Sequence, residues 1–170
     1  MGKSFVYEVP GLQLITQDQT NSCWYASAEM LLNWRDRQRG GGLTSHRVDD
    51  ATTAIYRANN GVGNEQIIPL AKRLGLVAIP PMSPTVEALT KWLHIYGPLW
   101  TNGHSHITVI GGIRGGGDDY DGFEVKVFDP APGYGIQWRT LGGWYTGMGK
   151  DADVDSRDTS ADVQAVFLHV

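Results

Sequence analysis

The chain has 170 residues, one cysteine and a formal net charge of -4, with 41% hydrophobic residues. This length and apolar content predict a single globular domain over residues 1–170, and the acidic balance excludes a basic surface for nucleic acid as a partner. One cysteine cannot form an internal disulfide framework, and no apolar run is long enough to span a membrane.

The first 96 residues predict a helical half that begins near residue 17. An extended segment at 4–15 precedes four predicted helices, each with apolar residues at helical spacing and a glycine or proline near an end. These helices are expected at residues 22–37, 46–58, 64–74 and 84–96. For the last of them we expect Ser83 as the N-cap and Pro84 at the first helical position.

After residue 97 the sequence predicts a β half that extends to residue 170. β-Branched and aromatic residues alternate with turns rich in glycine and aspartate, a pattern that indicates an antiparallel sheet. The expected strands are residues 99–100, 106–110, 123–128, 136–138 and 163–170, with a shorter one at 76–79.

The cysteine, Cys23, lies at the predicted start of the first helix, directly after Ser22. A thiol at this place lies near the positive end of the helix dipole and near unpaired backbone N–H groups, which favour the thiolate. An isolated cysteine is more often a small buried hydrophobe, so its neighbours decide the interpretation. Gln17, six residues upstream, can donate to an oxyanion together with the Cys23 N–H.

Two further residues complete a candidate catalytic set. His106 precedes a strongly apolar strand, and Asp129 ends the next strong strand. If these strands are antiparallel neighbours, the ends that carry His106 and Asp129 meet, and the carboxylate can orient a histidine that serves a nucleophilic cysteine. His104 remains an alternative base, and Gln19 remains an alternative oxyanion donor with a shorter arm.

The pattern of a glutamine, five residues and then Cys-Trp-x-Ala resembles the active-site stretch of papain-like cysteine peptidases. Matching stretches follow in the same order, and the whole set is similar to compact bacterial forms, the bacteriocin-leader peptidases and the avirulence-effector peptidases of plant pathogens. The stretches are residues 17–26, 97–100, 106–111 and 125–130. The resemblance implies an α+β, papain-like fold, with the nucleophile helix of the N-terminal half packed on a C-terminal antiparallel β-sheet.

The resemblance also implies a cysteine protease that cleaves peptide bonds through a Cys-His-Asp triad and takes a protein or peptide as substrate. The implied roles are nucleophile for Cys23, general base and acid for His106, orienting residue for Asp129 and oxyanion donor for Gln17. No cofactor or metal is expected. A cluster of three aspartates, Asp118, Asp119 and Asp121, is interpreted as a solvated turn.

Other functions share parts of this pattern. A peptidoglycan amidase, an acyl transferase and a deamidase use the same kind of triad, and a non-catalytic papain-fold binding module would keep only the scaffold. Residues 1–20 lack the charged and then apolar order of a signal peptide. By analogy with bacterial effectors and toxins, we expect bacterial cytoplasm before export, delivery without a Sec signal, and an immunity protein or host activating protein as partner.

Overall fold

The computed structural model describes residues 4–38, 49–80, 84–102, 106–116, 122–141 and 167–170. The helices in these ranges lie between residues 23 and 96, and most of the strands follow them, which confirms the predicted α+β class. In chain order the elements are β1 (Phe5–Glu8), α1 (Cys23–Gln38), α2 (Asp50–Arg57), α3 (Asn64–Leu74), β2 (Val77–Ile79), α4 (Val86–Tyr96), β3 (Leu99–Asn102), β4 (Ile107–Gly115), β5 (Phe123–Asp129), β6 (Gly135–Thr140) and β7 (Phe167–His169).

The strands form one antiparallel sheet in the order β2-β7-β3-β4-β5-β6, with β1 paired to β4 beyond the end of β3. The sheet therefore takes two strands from the N-terminal half, since Tyr7 of β1 lies opposite Ile113 and Ala78 of β2 lies opposite Leu168. Strand β7 begins at Phe167, and the first residues of the predicted strand, 163–166, lie outside the described residues.

The sheet is buried on both faces. Successive residues of one strand enter different apolar clusters, because side chains alternate across a strand. Trp100 packs with Trp24 and Leu70 from α1 and α3, whereas Leu99 packs with Leu93 from α4. Each fully buried side chain of this size stabilises the fold by roughly 1.5–3 kcal/mol. The sheet is therefore the middle layer, and α1 is held against its centre.

The structure moves the start of α4 by two residues. Thr85 is the N-cap, and its hydroxyl accepts a hydrogen bond from the Ala88 N–H at 3.1 Å. Pro84 precedes this cap instead of occupying the first turn, and the predicted cap Ser83 lies outside the described residues. The predicted start of α2, at residue 46, lies outside them as well.

Candidate active site

Helix α1 begins at Cys23. The Ser22 carbonyl accepts the N–H groups of Tyr25 and Ala26 at 3.1 Å and 3.0 Å, so Ser22 is the residue from which the helix starts. The Cys23 side chain is half-buried. Because the first N–H groups of a helix have no intrahelical partner, the thiol is next to backbone donors that can bind an anion.

Two hydrogen bonds fix α1 against the sheet near this thiol. The Ser27 hydroxyl donates to the Ile107 carbonyl at 3.3 Å, and the Trp100 indole N–H donates to the Trp24 carbonyl at 3.2 Å. Both bonds are buried, where a polar group without a partner is costly. They hold the first turns of α1 at the start of β4, and this brings Cys23 to His106.

His106 lies directly before β4 and contacts the end of β5. Its Nε2 is 2.7 Å from Oδ1 of Asp129, because β4 and β5 are antiparallel neighbours with Val109 opposite Phe128. The His106 side chain is also hydrogen bonded to Cys23. Since Nε2 faces the carboxylate, Nδ1 is the ring nitrogen left for the thiol. The structure thus brings Cys23, His106 and Asp129 together in one chain of contacts.

The charged forms of the contacting groups Cys23, His106 and Asp129 stabilise one another. Burial of the His106 ring by itself lowers its pKa, but the hydrogen bonds and charges of Asp129 and Cys23 outweigh burial and raise the pKa to about 9. Burial raises the pKa of Asp129, and here too it is outweighed, by the His106 contact, the Ala131 N–H and the charge of Arg139, so that the pKa is lowered. At neutral pH His106 is therefore an imidazolium that bonds a carboxylate.

Arg139 is a member of the site that the sequence did not reveal. Its Nη2 lies 3.3 Å from Oδ2 of Asp129, and the two side chains are only 4% and 3% exposed. Arg139 on β6 is opposite Val125, and alternate residues of β5 from Val125 to Asp129 share a face, so the long side chain reaches along that face to the carboxylate. Only the strand register relates these positions, so the sequence carried no local signal for this contact.

The Gln17 side chain is hydrogen bonded to the loop before α1. Its amide Nε2 donates to the carbonyls of Gln19 and Thr20 at 2.9 Å and 3.0 Å. The Gln17 backbone N–H donates to the Pro130 carbonyl at 2.8 Å, which connects the loop before α1 to the end of β5. In this state the amide organises the loop. The rival Gln19 contacts Tyr56 with its side chain.

An open cleft of about 390 Å³ leads to Cys23 and His106. One wall is the connection between α2 and α3, which hydrogen bonds secure to the loop before α1. Asn21 donates two of them to Asn59, each at 3.0 Å, and the Trp24 indole donates to the Asn60 carbonyl at 3.0 Å. A methyl group added at Gly61 would meet no atom within 4 Å, so this wall leaves room for a substrate. The other lining residues are Thr20, Val62, Gly63, Asn64, Asn102 and Ile107.

Other predictions about the site concern metals, membranes and unplaced residues. Among the residues that the structure describes, no group of three or more His, Cys, Asp or Glu could hold a metal ion. In the same ranges no helix is both long and apolar enough to cross a membrane. His104 and the aspartates 118, 119 and 121 lie outside the described residues.

Comparisons with known proteins agree with this architecture. The solved structure of UfSP from C. elegans is similar, with a TM-score of 0.58 and 18% sequence identity; the similarity covers 81% of this chain but only 31% of that one, and it shows the fold. No curated protein is significantly similar in sequence. The family described as papain-like cysteine protease AvrRpt2 matches residues 3–141, which include Cys23, His106 and Asp129. Because this match covers most of the chain, the protein belongs to the AvrRpt2 family of papain-like cysteine proteases.

Proposed function

We propose that this protein is a thiol hydrolase that cleaves peptide bonds through Cys23, His106 and Asp129. The observation that carries the proposal is the continuous contact from the Cys23 thiol through the His106 ring to the buried Asp129 carboxylate. Nucleophile, base and orienting group in contact are the arrangement that covalent catalysis requires. Family membership supports the same activity.

The geometry supports a two-step reaction. The Cys23 thiolate attacks the carbonyl carbon of the scissile amide, and the His106 imidazolium gives its proton to the leaving amine, which leaves a thioester. His106, now neutral, takes a proton from water, and the hydroxide attacks the thioester. The intermediate collapses, the carboxylic acid product leaves, and Cys23 is released as the thiolate beside the His106 imidazolium, which restores the starting pair. Asp129 holds Nε2 throughout, so that Nδ1 keeps facing Cys23.

We also propose that the tetrahedral oxyanion is held by the Cys23 backbone N–H and by the Gln17 amide. The backbone donor belongs to the unpaired first turn of α1. Gln17 would exchange one of its two loop carbonyls for the oxyanion, which forms only during the reaction. This exchange would make the Gln17 bond specific for the transition state, where a bond lowers the barrier most effectively.

The proposed substrate is a protein or peptide, because an open cleft admits an extended chain more readily than an enclosed pocket does. We extend the proposal to a bacterial effector or toxin that is made in the cytoplasm and delivered without a Sec signal, with a host activator or an immunity protein as partner. Family membership and the acidic, disulfide-free composition support this extension. Appearance of the protein in the medium of the producing bacterium, and its loss in a secretion-deficient strain, would test it.

The first experiment measures alkylation of Cys23 by iodoacetamide between pH 4 and 10. A thiol without activation ionises near about 8.5, whereas activated cysteines ionise at about 3.5–7.5. We expect fast alkylation at pH 6 in the native protein and slow alkylation in His106→Ala. His94→Ala, a change at an exposed histidine of α4, is the matched control and should behave like the native protein. Alkylation that rises only above pH 8 in all three proteins would refute the proposal.

A second experiment separates protease from amidase. The native protein should release peptides from a protein mixture or a peptide library, and Cys23→Ala should release none while its circular dichroism spectrum is unchanged. Purified cell-wall sacculi should keep their turbidity. Cleared sacculi would show an amidase, and turnover by folded Cys23→Ala would exclude Cys23 as nucleophile.

A further inference from the structure

We infer that Arg139 is a positioning residue for the proposed reaction, acting on Cys23 through Asp129 and His106. This inference rests on the proposed function. Arg139, on the edge strand β6, holds the Asp129 carboxylate in place, and this carboxylate in turn orients the base His106.

The geometry gives each oxygen of Asp129 a separate task. Oδ1 accepts from His106 at 2.7 Å and from the Ala131 N–H at 2.9 Å, whereas Oδ2 is 3.3 Å from Arg139 Nη2. A carboxylate held at one oxygen only can rotate about its terminal torsion, which is a soft one. With Oδ2 held from β6, rotation would break a buried contact, so Oδ1 stays directed at His106.

The charges point in the same direction. Asp129 is 3% exposed and lies between two cationic groups, the His106 ring and the Arg139 guanidinium. An arginine stays charged at any working pH, so it favours the ionised carboxylate even when His106 is neutral. This matters in the second step of the reaction, which His106 enters without its extra proton. The Asp129 carboxylate must stay ionised so that it can stabilise the ring when the ring takes a proton from water.

The titratable and charged groups that contact the His106 ring, among the described residues, come from two elements. They are Cys23 at the start of α1 and Asp129 at the end of β5. Arg139 is one residue further, on the other oxygen of Asp129. Its effect on His106 should therefore pass through Asp129, and this route makes the inference testable.

The test is a double-mutant cycle read by the pH profile of Cys23 alkylation with iodoacetamide, which needs no knowledge of the substrate. Arg139→Met keeps a long unbranched side chain and removes the charge and donors. We expect it to raise the midpoint of alkylation by about one pH unit, which is about a tenfold lower rate at pH values below both midpoints. Arg139→Lys keeps the charge without the planar fork and should recover part of the rate.

The same substitution is then made in Asp129→Asn, which already lacks the carboxylate. If Arg139 acts through Asp129, Arg139→Met has no further effect on the profile of Asp129→Asn, because coupled residues are not additive. An equal shift in both backgrounds, or an unchanged profile in folded Arg139→Met, would overturn the inference. If Arg139→Met does not fold by circular dichroism, Arg139→Lys in the two backgrounds decides in the same way.

Failure of the proposed function is distinct from failure of this inference. An ordinary thiol profile in the native protein would remove the thiolate–imidazolium pair, and both would fall. A native profile with the activated thiol, together with insensitivity to Arg139, would leave the function standing and overturn the inference alone.

Discussion

Replacement of Asp129 by alanine should destabilise this protein far more than replacement by asparagine. Asp129 accepts three contacts, from His106, the Ala131 N–H and Arg139, and it is 3% exposed. Asp129→Ala removes one partner of a buried ion pair, a change that costs about 3–5 kcal/mol. Since whole domains have free energies of unfolding of about 5–15 kcal/mol, this is a large share. Asp129→Asn keeps a neutral acceptor in place and should cost roughly 1–3 kcal/mol.

The assay is urea unfolding at pH 7, followed by the fluorescence of the six tryptophans. The decisive comparison adds Arg139→Met to Asp129→Ala, because an ion pair replaced as a whole by apolar groups is often tolerated. We expect the double variant to be more stable than Asp129→Ala alone. If Asp129→Ala lies within about 1 kcal/mol of the native protein, or if the double variant is less stable than the single one, the reasoning about a buried pair is wrong.

Two further predictions concern the base and the oxyanion donor. The folded-state pKa of His106, about 9, exceeds its ordinary value of 6.5, so its charge stabilises the fold fully below about pH 6.5 and this contribution is lost as the pH rises through about 9. The difference in urea unfolding free energy between the native protein and His106→Gln should therefore shrink between pH 6 and 10, and a constant difference would contradict the assigned charge. Gln17→Ala should lower kcat on a library-derived peptide about 10²-fold with little change in KM, as should Gln17→Glu, which lacks the amide donors. Unchanged kcat in folded variants would restrict Gln17 to organising the loop.

Much of the fold was predictable because its signals are local. Helix α1 has no proline or glycine between Cys23 and its last turn, and β4 begins as an unbroken run of buried residues, so each pattern indicated its own element. The start of α4 was less predictable, since Thr85 was as good a cap as the residues before it. The single domain over residues 1–170 stays a prediction.

The candidate site was likewise predictable only in part. Local sequence placed Cys23 at a helix start, His106 before an apolar strand and Asp129 at the end of another, because caps and strand ends have short-range patterns. Their roles remain proposals. The loop bonds of Gln17 depend on how residues 17–22 turn, and residue spacing alone does not determine this.

The sequence by itself determined which elements form and which of them carry a thiol, an imidazole and a carboxylate. The tertiary structure decided how they are supported. Strands β1 and β2 pair with distant parts of the chain: Tyr7 and Ile113 are 106 positions apart, and Ala78 and Leu168 are 90 positions apart. Arg139 reaches Asp129 only because β6 pairs with β5 in one register, and a slip of one residue would turn its side chain to the other face. Pairing and register are set by the packing of the whole sheet, so no local pattern could reveal them.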